Sequence, residues 1–420
     1  MSGVLPWLVV LYVALLPVGR SGLPLNAQWG DLLFPALAFA VWRAAPGGSW
    51  WRRSDWPLLA YLSVTALASA VSPDPAAGLS HLAKQIYVAA IFLVFRRLAA
   101  VGLPELAARV QGTFVAAMAL VCGVSILVVF LGDFGAGWAP MFGELQLLPV
   151  VGAVRRLRGL FEAPEFLGNA LLVAFLLALA FRARAAASEK PWWTALACLL
   201  AMGEFFTYSR SVAGFFVATA LFLAPRIRSG GLRASAWIVA LAVVLIVNVA
   251  SVIGPMPKGA ATHYEVGSIS MDVLGLRIEG KLMSYAALKR IAWSALIDHP
   301  LTGVGPGRFT TLTETAFREG RITARYRNVP PHSDFAGRLS EAGVSGGLSL
   351  VILWIAWLRA LRPVLAEGTL LPRAAAAAVI GILVNSINAD VMNFRFLWIA
   401  LAWASVSDPN GEGPPEITRA

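Results

Sequence analysis

SAWIVALAVVLIVNVASVI, residues 235–253, runs without one charged side chain. Its apolar residues do not alternate, which favours a helix over a strand of a lipid-facing barrel. About 20 mostly apolar residues suffice to cross the hydrocarbon core of a bilayer. Comparable runs lie near 4–18, 29–42, 56–71, 80–95, 105–131, 166–181, 191–207, 211–224, 335–358, 373–388 and 393–407. Several are short, so tilt or residues borrowed from the flanks are expected. The 420 residues are 58% hydrophobic and 14% charged, with a mean hydropathy of +0.71. A soluble domain carries about 25% charged residues, so a soluble protein of this composition would have too little polar surface to face water. The fold class expected is an all-α polytopic integral membrane protein of about twelve transmembrane helices, with a large outward loop containing amphipathic helices.

The first twenty residues lack a basic leading region and are followed by further spans, so they read as a retained helix and not as a cleaved signal peptide. Cys122 and Cys198 lie in apolar segments and read as core packing. The net charge of +11 would suggest nucleic acid in a soluble protein, but here most arginines fall in short loops, where topology already requires them. No nucleic-acid partner is expected.

Lysine and arginine set the orientation. Arg43, Arg52 and Arg53 follow the second span, and Arg96 and Arg97 follow the fourth. Arg182, Arg184 and Lys190 follow the sixth, Arg226, Arg228 and Arg233 the eighth, and Arg359, Arg362 and Arg373 the tenth. Both termini are therefore expected in the cytoplasm. The outward connections are then the 71–80 turn, the 132–165 loop, the 207–211 turn, the long 254–334 segment and the 388–393 turn. The chain divides into a bundle of about nine helices over 1–253, an outward loop over 254–334, three further helices over 335–407 and a tail over 408–420 rich in Pro and Gly. Within the loop, residues 276–297 mix Leu276, Leu282, Ala286, Ile291 and Trp293 with Arg277, Lys281, Lys289 and Arg290, which predicts an amphipathic helix.

Positive charge on the outward side is not required by topology. Arg155, Arg156 and Arg158 precede the sixth span, Arg210 sits in the Tyr208-Ser209-Arg210-Ser211 turn, and Arg290 lies on the amphipathic stretch. Arg308, Arg318, Arg321, Arg325 and Arg327 crowd the second half of the long loop, and Arg395 opens the last span. Arginine suits bidentate phosphate recognition and stays charged at any relevant pH. The competing role for each is contact with lipid phosphates, least available to Arg210 in its tight turn. Of four histidines, His81, His263 and His299 read as local structure. His332 stands in Pro330-Pro331-His332-Ser333-Asp334-Phe335 at a helix mouth, where Ser333 or Asp334 would cap the helix and an imidazole can act as a general base. Asp390 lies in the polar patch Asn385-Ser386-Ile387-Asn388-Ala389-Asp390. No Asp-x-Asp pair, no His/Cys cluster with ligand spacing and no Walker motif occurs, so neither a metal nor a nucleotide cofactor is expected. Gly303-Val304-Gly305-Pro306-Gly307-Arg308-Phe309 reads either as a phosphate cradle or as a plain turn.

Outward arginines for a diphosphate, one histidine for a hydroxyl and an apolar bundle for a lipid together suit transfer from a lipid diphosphate to a hydroxyl. Four motifs, in order, resemble the O-antigen ligase and polymerase superfamily of bacterial envelope glycosyltransferases. They are Arg158-Gly159-Leu160-Phe161 with Ala163-Pro164-Glu165, where Glu165 replaces the usual Asn; Thr207-Tyr208-Ser209-Arg210-Ser211; His299-Pro300 through Phe309; and Pro331-His332-Ser333 with Glu341-Ala342-Gly343-Val344-Ser345-Gly346. The resemblance covers roughly 155–350 and the twelve-span layout. It implies inverting, metal-independent transfer at the periplasmic face of the inner membrane. The donor would be a glycan on undecaprenyl diphosphate, and the ligase's acceptor a hydroxyl of lipid A–core. On that basis His332 is expected as general base, Arg210 and Arg290 on the leaving diphosphate, Arg158 and Arg308 as further binding residues, and Asp390 as an orienting group. A polymerase or a protein O-oligosaccharyltransferase of the same superfamily is the alternative, and a transporter or flippase for anionic lipids the alternative of another class.

Overall fold

A backbone kept from water bonds to itself, and apolar runs of this length do so as helices. The computed structural model describes residues 4–19, 27–44, 50–100, 104–132, 139–148, 152–254, 268–273, 276–282, 284–322 and 324–405. His263 and the tail over 408–420 lie outside the described residues. The described chain opens with α1 (Val4–Leu15), α2 (Phe34–Ala44), α3 (Trp56–Ala70), α4 (Pro75–Ala100) and α5 (Pro104–Ile126). A short α6 (Ala139–Phe142) leads into strands β1 (Gly143–Leu148) and β2 (Gly152–Leu157). Next come α7 (Pro164–Arg184), α8 (Lys190–Phe206), α9 (Ser211–Leu223) and α10 (Gly230–Val252). Strands β3 (Ile253–Gly254), β4 (Ser268–Val273) and β5 (Leu276–Leu282) precede α11 (Ser284–Asp298) and α12 (Phe309–Arg318). The chain closes with α13 (Asp334–Glu367), α14 (Leu370–Asn385) and α15 (Arg395–Ala404).

Each of the twelve apolar runs carries one helix, α1–α5, α7–α10 or α13–α15. Five helical stretches are long and apolar enough to cross a membrane: Pro75–Ala99, Glu105–Leu131, Pro164–Arg184, Gly230–Val249 and Asp334–Glu367. Shorter apolar helices include Val4–Leu15, Ser211–Arg226, Leu370–Asn385 and Arg395–Ala404. The protein is thus an α-helical chain with apolar helices of a multi-pass membrane type. Its short helices α14 and α15 run through the interior, where Ala374, Ala375, Ala376, Ala377, Trp398 and Ile399 are fully buried. By contrast only 6% of the α10 span is buried, and Leu232, Ile238, Leu241 and Leu245 are more than 60% exposed. An apolar face of that extent is stable against lipid and costly against water.

Two stretches differ from expectation. The 132–165 loop contains α6 and the antiparallel hairpin β1–β2. The amphipathic helix expected over 276–297 begins only at Ser284, because 276–282 form β5, paired antiparallel with both β4 and β3. The sequence LRIEGKL alternates apolar and charged residues up to Gly280, which is strand periodicity.

The odd-numbered connections converge at one end. Arg156 Nε donates to the Thr207 carbonyl at 2.9 Å, and Asp334 N donates to the Ser386 carbonyl at 3.0 Å. The connection after α1 joins them, because Gly19 packs on Phe161. At the other end Arg96 pairs with Asp55 at 2.7 Å and donates to the Trp50 carbonyl at 2.7 Å.

Small residues set the closest crossing. A Cβ on Gly214 of α9 would stand 2.1 Å from the Gly381 carbonyl oxygen of α14, and one on Gly381 would stand 2.6 Å from that of Gly214. Asn385 locks this seam: its side chain accepts from Gly214 N at 3.0 Å and donates to Asn169 at 2.7 Å. Such backbone approach is the usual device of packing between apolar helices. Gly381→Val is therefore expected to lower stability by about 1–3 kcal/mol through overpacking, read as a lower melting temperature of the detergent-purified protein; an unchanged melt would contradict the close crossing.

Candidate functional site

His332 is presented by a strained turn. Pro330 and Pro331 restrict the approach, His332 itself has φ +49°, and Ser333 caps α13 by accepting from Ala336 N at 3.3 Å. A non-glycine residue in the left-handed region costs energy and persists where its surroundings hold it. Here α11 supplies the hold. The half-buried His332 ring meets Tyr285 edge to face, centroids 5.0 Å apart. The Arg210 guanidinium lies over the same Tyr285 ring, 3.7 Å from its centroid, a cation–π distance. Base and cation therefore share one aromatic wedge.

The turn bearing Arg210 is strained as well, with Tyr208 at φ +44°. It is pinned by Arg156 through Thr207, by the Thr207 hydroxyl on the Glu204 carbonyl at 2.7 Å, and by the Ser211 hydroxyl on the Glu204 carboxylate at 2.7 Å. Arg156 also pairs with Glu144 at 3.4 Å and reaches Glu165 at 3.9 Å. Of the arginine cluster before α7, it is Arg156 that fastens the site. Arg158 donates to the Pro140 carbonyl and does not line the cavity beside His332.

That cavity encloses about 530 Å³. His332 and Pro330 form one part of its wall, Asp390, Asn393 and Arg395 another, Lys84 and Tyr87 of α4 a third, and Glu162 and Glu165 a fourth. Arg395 is held by Asp31, with Nε 2.7 Å from Oδ1, and Tyr87 donates to the same carboxylate. Asp390 accepts from the Asn393 amide at 2.6 Å and stands 3.9 Å from Arg338. Arg338 is a buried hub of α13. It donates to His81 Nε2, pairs with Glu341 at 3.5 Å, and lies over Tyr61 at 5.8 Å.

Glu341 explains the glycine-rich segment. Its carboxylate accepts from Gly307 N at 3.1 Å and Phe309 N at 3.5 Å, while Val304 N and Gly305 N donate to the Ser340 and Glu341 carbonyls at 2.9 and 3.0 Å. The anion in this cradle is the protein's own glutamate, so the plain-turn reading fits and the phosphate-cradle reading does not. Gly303 and Gly343, at φ +63° and +65°, let the segment press against the kink in α13 at Ala342–Gly343. Arg308 caps its own turn at the Val304 carbonyl, 3.2 Å away, and lines a separate cavity of about 360 Å³ with His299. It is not brought to His332.

On α11, Tyr285 and Lys289 are four residues apart and share a face. Lys289 is half-buried, donates to Asn388 at 3.3 Å, and has its pKa pushed down by burial and by the neighbouring charge of Arg210. Arg290, one step round the helix, is exposed. Lys289 is therefore the α11 cation beside Arg210. It heads a largely apolar groove of about 360 Å³ lined by Trp293, Phe335, Leu339, Trp354 and Ile387.

The structure thus brings His332 and Asp390 to one cavity, with Arg210 behind Tyr285, and leaves Arg158, Arg290 and Arg308 outside it. Reasoning from sequence passed over Lys84, Glu165, Arg338 and Lys289 as site residues. Lys84 and Arg338 lie inside apolar helices, where an ionisable residue is itself a signal, and Glu165 stands in the first turn of α7. Among the described residues no three His, Cys, Asp or Glu side chains converge as metal ligands. No protein-family model matches the chain, and no curated protein matches it either.

Burial holds His332 below the ordinary imidazole range; Glu165 pulls it upward, Arg210 down again, and Asp390 upward. Folding thus favours the neutral ring. Its contribution is present above the ordinary pKa of about 6.5 and is lost as pH falls below it. In ring-labelled NMR, His332 is expected to titrate below pH 6.5, and Arg210→Gln to raise its pKa by removing a nearby cation. A downward shift in that variant would contradict the contact through Tyr285. Separately, Arg338→Gln strands the Glu341 and Asp390 carboxylates and should cost about 3–5 kcal/mol, read as a lowered melting temperature.

Proposed function

We propose that the chain is a multi-pass enzyme of the bacterial inner membrane that transfers O-antigen glycan from undecaprenyl diphosphate to a hydroxyl of lipid A–core, an O-antigen ligase. In this reading the chain crosses the membrane twelve times, both termini are cytoplasmic, and the His332 cavity faces the periplasm. The observation that carries it is the shared contact of His332 and Arg210 with Tyr285, with a cavity on the imidazole side. That pairing puts a neutral base near a permanent cation.

The apolar groove headed by Lys289 supports a lipid-linked donor, because an isoprenoid chain and its diphosphate have the same split between apolar length and anionic head. The acceptor hydroxyl attacks the anomeric carbon and gives its proton to His332. The carbon–oxygen bond to diphosphate breaks, and the diphosphate leaves with the bonding pair, inverting the centre. Arg210 and Lys289 stabilise that charge, so the reaction needs no metal and no cofactor. Glu165 and Asp390 favour the protonated form of His332 as it develops. The membrane lipid is the solvent for both substrates.

The test is transfer by purified protein with undecaprenyl-diphosphate glycan, lipid A–core and EDTA, followed on a gel. His332→Ala should lose turnover by about 10²–10⁴-fold while still binding donor. Arg210→Lys should also be impaired, because an ammonium cannot form the planar fork. Full activity in His332→Ala would overturn the mechanism, lengthening of the lipid-linked glycan alone would mark a polymerase, and binding without transfer would favour a transporter.

A further inference from the structure

The cavity beside His332 contains a cation that the transfer mechanism does not use. Lys84 projects from α4 into its wall, with Tyr87 and Val88 one turn further along. It is half-buried, and among the described residues it has no hydrogen-bond or ion-pair partner. The other charged groups of the wall are engaged, Glu162 apart. Arg395 is held by Asp31, Asp390 accepts from Asn393 through Oδ2 and faces Arg338 at 3.9 Å through Oδ1, and Glu165 faces Arg156 at 3.9 Å. Glu162 is exposed at the rim. His81, one turn before Lys84, is taken by Arg338.

A lysine inside an apolar helix is costly unless an anion or water meets it. Retaining one in a cavity next to a base points to an anionic guest. The donor's diphosphate already has Arg210 and Lys289 on the α11 flank. We propose that Lys84 anchors an anionic substituent of the saccharide acceptor, a phosphate monoester or a sugar carboxylate, and so orients the attacking hydroxyl toward His332. This rests on the transfer reading above. Lysine is a point charge on a flexible stem, so it accepts either anion without demanding a planar geometry. Tyr87 and Val88 supply apolar surface against which a sugar ring can pack.

The experiment measures transfer kinetics and, independently, acceptor binding to purified protein in nanodiscs without donor. Lys84→Gln should raise the acceptor KM and the acceptor Kd about tenfold, with the donor KM within twofold of wild type. Lys84→Arg should stay within threefold, which separates lost charge from misfolding, and matched melting temperatures check the fold. Acceptor stripped of phosphate and acceptor with methyl-esterified carboxylates distinguish the two sources. The modification that removes the partner of Lys84 should weaken wild-type binding about tenfold and weaken Lys84→Gln no further. A raised donor KM with unchanged acceptor Kd would overturn the proposal, as would equal losses from both modifications in wild type and variant. If wild type transfers nothing, the transfer reading fails, while the binding arm still decides whether Lys84 holds an anionic saccharide.

Discussion

A guanidinium withdrawn from water must be met by carboxylates and acceptors, or the helix that carries it will not pack. Arg338 imposes this requirement on the end of the bundle where the odd-numbered connections meet. Its neighbours come from four separate parts of the chain: Tyr61 of α3, His81 of α4, Glu341 one turn along α13, and Asp390 after α14. Each then organises something else. Glu341 binds the backbone of the glycine-rich segment and so seats α12. Asp390 is also tied through Asn393 and Gln85 to Tyr61. Asp334, at the start of the same helix, accepts from Val391 N and Met392 N and fixes the turn in which Asp390 lies. The cavity has a defined shape because these ties share one buried charge.

The two residues joined by Tyr285 stand on turns that the chain would not adopt alone. His332 and Tyr208 both occupy left-handed backbone, and each turn is closed by contacts made far away in sequence, through Tyr285 and Arg156 respectively. Such turns gain their geometry from rigid helices on either side, which lets a connection hold a side chain in a fixed place. The small-residue seam between α9 and α14 supplies that rigidity directly beneath the Arg210 turn.

Much of this was legible in sequence. Hydropathy alone located a helix at each of the twelve apolar runs, because helix formation in an apolar stretch depends on nearest neighbours. His332 was legible as a histidine at a helix mouth, and Asp390 as part of a polar patch between two apolar runs. Arg158, Arg290 and Arg308 carry the same charge and lie in comparable loops, yet they point elsewhere: to the Pro140 carbonyl, to the exposed side of α11, and to the Val304 carbonyl. The choice between Lys289 and Arg290 turns on about 100° of helix rotation, which a loop of mixed charge does not encode. The strand over 276–282 shows the converse, since its alternation was present in the residues but was outweighed by the apolar content of its neighbours.

The sequence by itself determined where helices form, that these helices are apolar, and that a histidine and several cations occupy one set of connections. Those properties follow from local composition and the need to bond the backbone internally. Only the tertiary structure decided that Tyr285 joins His332 to Arg210, that Glu341 fills the glycine cradle, and that Lys84 opens into the cavity. Each depends on how helices distant in sequence are rotated and stacked, and that is set by packing of small residues and by the partners a buried charge demands.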